Sequence, residues 1–385
     1  MVPDMAIDTR RIAIVFCAAC AFLYLYSPQA VLPLMAQEFG VGAAHASLII
    51  TASTLAVAAT APFTGAVADV LGRKRVIVAA MVLLLVPGVM MPLADSLNEL
   101  IFWRFIQGLL LPPIFVVAIA YIGDEWPRQQ ATGVVGSFTA VSAVAGFLGR
   151  FVPGALVAYA GWRGGFFALA GMIAICLIVV AMLLPREKQF VRATSLTASL
   201  RQMVAHLGNP RLVATYAVGF GVLFNFIAVF TYMSFHLAGP PFNRSAAFIG
   251  AIFVVYLAGA AAATMTGKMI ARIGRRTFVL WVLAAWAGGI LVMLIPSVPV
   301  IVLGLAIASV CGTLTQASST SFVAITAQGG TSSAVGLYVT SFYVGGTFGG
   351  WLPGLAYEAS GWPGCLFTVL VMLAIMAAVV ATKWK

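Results

Sequence analysis

Twelve times along its 385 residues the chain runs for about twenty positions that are almost wholly apolar, the length a helix needs to cross a bilayer. The runs start near Ile12, Ala44, Val76, Leu97, Ala131, Trp162, Arg211, Ala246, Phe278, Val298, Ser333 and Trp362, with Gly, Pro or charge between them. A backbone in hydrocarbon must satisfy its own hydrogen bonds, so runs of this length dictate helices. Hydrophobic residues make up 62% of the chain and charged residues 8%, too few to coat a water-facing exterior. That excludes soluble enzymes, nucleic-acid binders and disulfide scaffolds, and the loops are too short to hold a catalytic domain. The excess of +11 charges is a matter of topology, not a sign of a polyanionic partner.

Lys and Arg collect on the cytoplasmic side of membrane proteins. With the amino terminus inside, the basic residues fall at inner ends, except Arg163 and Arg244 outside and Arg104 and Arg150 within spans. Both termini are then cytoplasmic, and the expected location is a bacterial inner membrane. The hydrophilic stretch 185–210 divides the chain into a first six-helix bundle (1–184) and a second (211–385). Cys17, Cys20, Cys176, Cys311 and Cys365 all lie in apolar runs, where a thiol acts as a small hydrophobe. No metal site and no cofactor is expected.

The halves repeat. Gly146, Gly149, Pro153, Gly154, Gly161, Trp162, Gly164 and Phe167 recur at one constant offset as Gly346, Gly349, Pro353, Gly354, Gly361, Trp362, Gly364 and Phe367. Gly65 and Gly72-Arg73-Lys74 are echoed by Gly267 and Gly274-Arg275-Arg276. Internal duplication of this kind marks secondary transporters, whose substrate sits near mid-membrane between the repeats.

The stretch from Gly65 through Asp69 and Gly72 to Arg75 resembles the signature loop of the major facilitator superfamily. Arg104-Phe105-Ile106-Gln107-Gly108 is similar to that family's second motif, and Gly146, Gly149 and Pro153-Gly154 resemble the antiporter motif of its drug-efflux branch. The resemblance covers essentially the whole chain and is strongest to bacterial twelve-helix drug and sugar efflux permeases. It implies an all-α integral membrane protein with the major facilitator fold: twelve transmembrane helices in two pseudo-symmetric bundles that rock about a central site. It further implies an exporter of a small-molecule substrate, functional as a monomer among membrane lipids.

The resemblance also implies a cytoplasmic latch. Asp69 would reach the start of span eleven near Thr331-Ser332-Ser333, Gly72 would make the turn, and Arg73 would pair with Asp124, holding an outward-open state. Arg275 stands in the second copy, where Ala271 replaces the acid and weakens the latch. Arg104 and Arg150 each cost about 2.5–3.5 kcal/mol or more inside a membrane, so each faces a cavity or a partner. Gln107 shares the face of Arg104 at i+3. Either arginine can hold substrate, or can hydrogen-bond carbonyls between helices. Tyr26, Gln29, Asn225, Tyr232, Gln316, Tyr338 and Tyr343 add polar groups to apolar walls, as binding pockets require.

None of the ten acids lies at a span midpoint, so a buried carboxylate for a cationic drug is missing. With two arginines inside, the expected substrate is an anionic or neutral polar organic solute. The competing expectation is a proton-coupled multidrug efflux antiporter using Glu38 or His236, at the outer ends of spans one and seven. An intramembrane enzyme would need a catalytic cluster that the spans lack.

Overall fold

The structure, a computed structural model, describes residues 8–187, 203–327 and 331–384, with backbone only at Ala66, Arg128, Thr331 and Ser332. Most of the linker expected at 185–210, and the side chains of Thr331 and Ser332 in the expected latch, lie outside the described residues. Within them the chain is helical and has no strand. Among the described residues nine helices are long and apolar enough to cross a membrane. Two of these, Arg128–Leu183 and Thr331–Lys383, fold back on themselves. Each breaks at a glycine in the left-handed region, Gly161 at φ +63° and Gly361 at +65°. Beyond the breaks, Gly165 lies against Pro153 and Gly364 against Ala356.

The amino-terminal helix is broken as well. Thr9–Leu25 gives way to a 3-10 turn over Ser27–Ala30, and the helix resumes as Leu32–Phe39. Pro28 and Pro33 stand in the first turns after each break, where a missing N–H costs least. We number the segments in chain order: one, 9–39; two, 43–71; three, Arg73–Met90; four, 97–125; five, 128–160; six, 162–183. Seven is Pro210–Ala238; eight, 246–273; nine, Arg275–Val292; ten, Val298–Thr326; eleven, 331–360; twelve, 362–383. Apolar side chains such as Phe63, Leu83, Ile175, Trp281 and Phe367 are more than 50% exposed around this bundle, a surface suited to lipid and not to water.

The repeat governs the packing. Segment five lies on segment one and segment eleven on segment seven. A Cβ at Gly149 would come within 2.1 Å of the Leu23 carbonyl oxygen, and one at Gly349 within 2.3 Å of that of Phe224. The backbones touch there, as small residues allow in membrane helices. Gly149→Ala and Gly349→Ala are each expected to lower stability by about 1–3 kcal/mol through overpacking. Melting curves in detergent check this, and equal losses at the two sites are the expected sign of the duplication.

Arg10 reaches the Glu125 carbonyl, Glu187 meets the turn at Gly72, and Trp384 packs on Phe322, so both described ends of the chain share one face, here the terminal face. The two halves meet on the opposite, far face. Gly154 abuts Ala246 at the start of segment eight, and Gly354 abuts Ala44 at the start of segment two, a pair of contacts related by the repeat. Gly250 against Phe151 and Gly350 against Thr51 continue the same joint inward.

Candidate functional site

Arg150 sits where the halves join, 3% exposed. Its Nε donates to Gln29 Oε1 at 2.7 Å and its Nη1 to the Gly146 carbonyl at 2.5 Å. The guanidinium lies over three rings, Tyr26 at 4.9 Å, Phe253 at 4.9 Å and Tyr256 at 4.8 Å. No carboxylate stands within ion-pair distance of it among the described residues. Gln29 in turn donates through Nε2 to Thr231 Oγ1 at 3.0 Å. The offset relating Gly72 to Gly274 also relates Gln29 to Thr231, so this bond joins matching places in the two copies. Tyr343 of segment eleven approaches Tyr26, and its ring lies 6.3 Å from that of Phe115 in segment four. Both halves therefore contribute to one polar, aromatic-lined joint whose fixed charge is positive. Such a joint can hold an anion, or a polar solute with a carbonyl or hydroxyl for the guanidinium, while the rings cover its apolar faces.

Other residues expected in this pocket are bonded to protein partners. Arg104 is wholly buried and donates to the carbonyls of Tyr24 (2.9 Å), Leu25 (2.7 Å) and Ile49 (3.2 Å) and to Gln107 Oε1 (2.7 Å). Ending the helix at Leu25 orphans its last carbonyls, and Arg104 satisfies two of them. Arg104 and Gln107 thus form a clamp on the broken segment one. Asn225 donates to Met376 Sδ at 3.5 Å, the Tyr232 hydroxyl to the Gly350 carbonyl at 2.5 Å, and Tyr338 packs its ring on Gly219. Asn225 and Tyr338 pack on segments of their own half, while Tyr232 also reaches Ser47 of segment two, at the joint between the halves. Gln316 is half-buried in segment ten, and its side chain makes no hydrogen bond among the described residues.

On the terminal face Arg73 pairs with Asp124 at 2.7 Å and Asp69 at 3.5 Å, after a turn that needs Gly72 at φ +92°. In the second copy Arg275 donates to the Ser318 carbonyl at 2.5 Å and Ser321 Oγ at 2.6 Å and lies over Phe322. A carbonyl and a hydroxyl there replace the carboxylates of the first half. Of the two proton candidates, Glu38 accepts from Trp162 Nε1 and pairs with Arg163, tying segments one and six together. His236 stacks on Trp362 at 5.1 Å with Phe242 edge-on.

Sequence reasoning gave no role to Glu358, Thr231 or Phe253. Glu358 Oε1 accepts the Ala44 N–H at 3.0 Å across the far-face joint. Thr51 Oγ1 donates to the Thr347 carbonyl at 3.4 Å, and Thr347 Oγ1 donates to Thr54 Oγ1 at 3.2 Å, completing the bonds between segments two and eleven. The recurrence of Pro153-Gly154 as Pro353-Gly354 was the available signal for this joint, and the offset from Gln29 was the one for Thr231.

Duplicated apolar helices that meet around a shared polar joint define a multi-pass membrane transporter. The chain belongs to the major facilitator superfamily, whose family model matches residues 14–255 and 235–384. Among similar proteins, an uncharacterized transporter of Buchnera aphidicola (subsp. Schizaphis graminum) is 26% identical over 95% of this chain and 88% of its own length. The inner membrane transport protein YnfM of Escherichia coli (strain K12) is 26% identical over 94% of this chain and 87% of its own. By fold, a bacterial homolog of the human lysosomal transporter Spinster, inward-facing and unoccupied, superposes with a TM-score of 0.79 at 14% identity, covering 96% of this chain and 95% of that one. The nucleoside transporter NupG matches with a TM-score of 0.76 at 16% identity over 97% of this chain and 100% of its own. The family and its members are transporters, not enzymes.

Proposed function

We propose that the protein exports a small anionic or neutral polar organic solute across a bacterial inner membrane by alternating access. On this reading residues 1–184 and 211–385 form two rocking bundles that make twelve crossings, the terminal face is cytoplasmic, and one chain suffices. The observation that carries the reading is Arg150, a buried positive charge with no carboxylate at ion-pair distance among the described residues, held by residues of both halves where the halves join. A solute that binds there touches groups whose spacing changes as the halves rock, and an anion supplies the missing countercharge. The likeness of the Gly146 to Gly154 run to an antiporter motif supports export, and the Lys and Arg distribution supports the orientation.

A thermal-shift screen of organic anions, neutral metabolites and lipophilic cations on detergent-solubilised protein tests this, since a ligand of the folded state raises the melting temperature. Anions or polar neutral solutes are expected as hits. Tight binding of lipophilic cations that survives Arg150→Ala would overturn the substrate class.

In the same reading the contacts at the far face close the outer gate. Replacing Glu358 by Gln removes the charge from its bond to Ala44 N–H, worth about 1–2 kcal/mol of the closed state. Glu358→Gln is expected to raise labelling of a single far-face cysteine at Thr51 several-fold by a membrane-impermeant thiol reagent. Unchanged labelling would remove Glu358 from the gate.

A further inference from the structure

A cavity of about 740 Å³ opens beside the turn between segments two and three, walled by Val70, Leu71 and Val78 and edged by Lys74, Arg75 and Arg186. Lys74 is half-buried, its Nζ donating to the Ala181 carbonyl at 3.2 Å, while Arg75 and Arg186 are exposed. None of the three has a carboxylate within ion-pair distance among the described residues. Glu187, the acid in the lining, is turned to the backbone N–H groups of Arg73 and Lys74 at 3.0 and 3.3 Å. The apolar wall faces outward: Leu71 is 56% exposed, and Met182, next to the lining residue Ala181, is 76% exposed.

The feature recurs in the other half. A second cavity, of about 350 Å³, is lined by Arg276, Thr277, Leu280 and Trp281. The offset from Gly72 to Gly274 places Arg276 on Lys74 and Leu280 on Val78. Trp281, the seventh residue of a segment that starts at the terminal face, is 70% exposed, and an indole near the headgroups anchors a helix. A soluble anion would gain nothing from such walls. A phosphate carried on acyl chains matches both parts, cations at the rim and apolar side chains below it.

We propose that each cavity seats an anionic phospholipid of the leaflet on the terminal face. In the first half Lys74, Arg75 and Arg186 hold the phosphate, and an acyl chain lies along Val70, Leu71 and Val78. The second half repeats the seat around Arg276 and Trp281. The first headgroup then adjoins the Gly72–Arg73 turn, so the lipid bears on the Arg73–Asp124 pair.

Native mass spectrometry of the full chain in detergent, titrated with phosphatidylglycerol, phosphatidylcholine or inorganic phosphate, tests the seat. Wild type is expected to retain phosphatidylglycerol in preference to phosphatidylcholine and to ignore inorganic phosphate. In an Arg276→Gln background, which disables the second seat, adding Lys74→Gln/Arg75→Gln/Arg186→Gln is expected to weaken the first phosphatidylglycerol about tenfold or more, each cation near a membrane surface being worth roughly 1 kcal/mol. Removing the same charge at exposed Arg211, Arg272 and Lys383 in that background is expected to leave that binding unchanged. Equal weakening in the two triple variants, equal binding of the two lipids, or equally strong binding of inorganic phosphate would overturn the proposal. If the first triple variant melts below wild type in phosphatidylcholine nanodiscs, Arg186→Gln alone serves in the same background. It lies beyond the last turn of segment six and is expected to weaken the lipid about fivefold; no weakening overturns the proposal as well.

Discussion

Arg104→Ala is expected to leave little folded protein in the membrane. The substitution deprives the carbonyls of Tyr24, Leu25 and Ile49 of their buried donor and strands Gln107 Oε1, at a position with no exposure. Each buried acceptor left unsatisfied costs about 1–3 kcal/mol, so the sum reaches several kcal/mol, a large part of a typical protein's stability. Arg104→Lys should recover only part of it, because an ammonium on a single stem cannot serve carbonyls on two segments at once. Fluorescence-detected size-exclusion profiles and melting curves give the readout. A monodisperse Arg104→Ala protein with the melting temperature of wild type would show that the break in segment one is held by something else.

Arg150→Ala is expected to keep the fold and lose the function. Its guanidinium bonds to one side chain and one carbonyl and otherwise meets aromatic faces, so its removal leaves fewer orphaned groups than removal of Arg104 does. Transport into proteoliposomes and ligand-induced thermal stabilisation should both fall at least about tenfold, the loss of one buried charge-assisted contact. Arg150→Lys should fail nearly as badly, since a lysine keeps the charge but not the planar stacking on Tyr26 and Tyr256. Normal transport by a well-folded Arg150→Ala protein would detach the joint from substrate.

The two arginines also show where sequence runs out. Each is a lone charge in an apolar run, and nothing local separates them. What separates them is the tertiary neighbour: the broken end of segment one lies beside Arg104, and the aromatic rings of the opposite half lie beside Arg150. Asn225 and Tyr232 carry the same ambiguity. A polar group in a membrane helix needs a partner, but its rotation about the helix axis decides whether that partner is substrate or a neighbouring segment. Features set by backbone chemistry were far more legible. The paired glycines at 161 and 361 and at 72 and 274 mark turns that only a left-handed residue makes, and their recurrence exposed the duplication before any contact was known. Glu358 escaped because its partner is a backbone N–H, which leaves no trace in side-chain identity.

Distances measured by double electron–electron resonance test the central claim most directly. Spin labels at exposed Tyr159 and Asn243 report on the far face, and labels at exposed Gln129 and Ile325 on the terminal face. Each pair spans the two halves. On addition of a transported solute, the account predicts that the far-face distribution shifts to longer distances while the terminal-face distribution shifts to shorter ones, both shifts being lost in Arg150→Ala. Two distributions that stay fixed while the protein binds and moves its solute would contradict it.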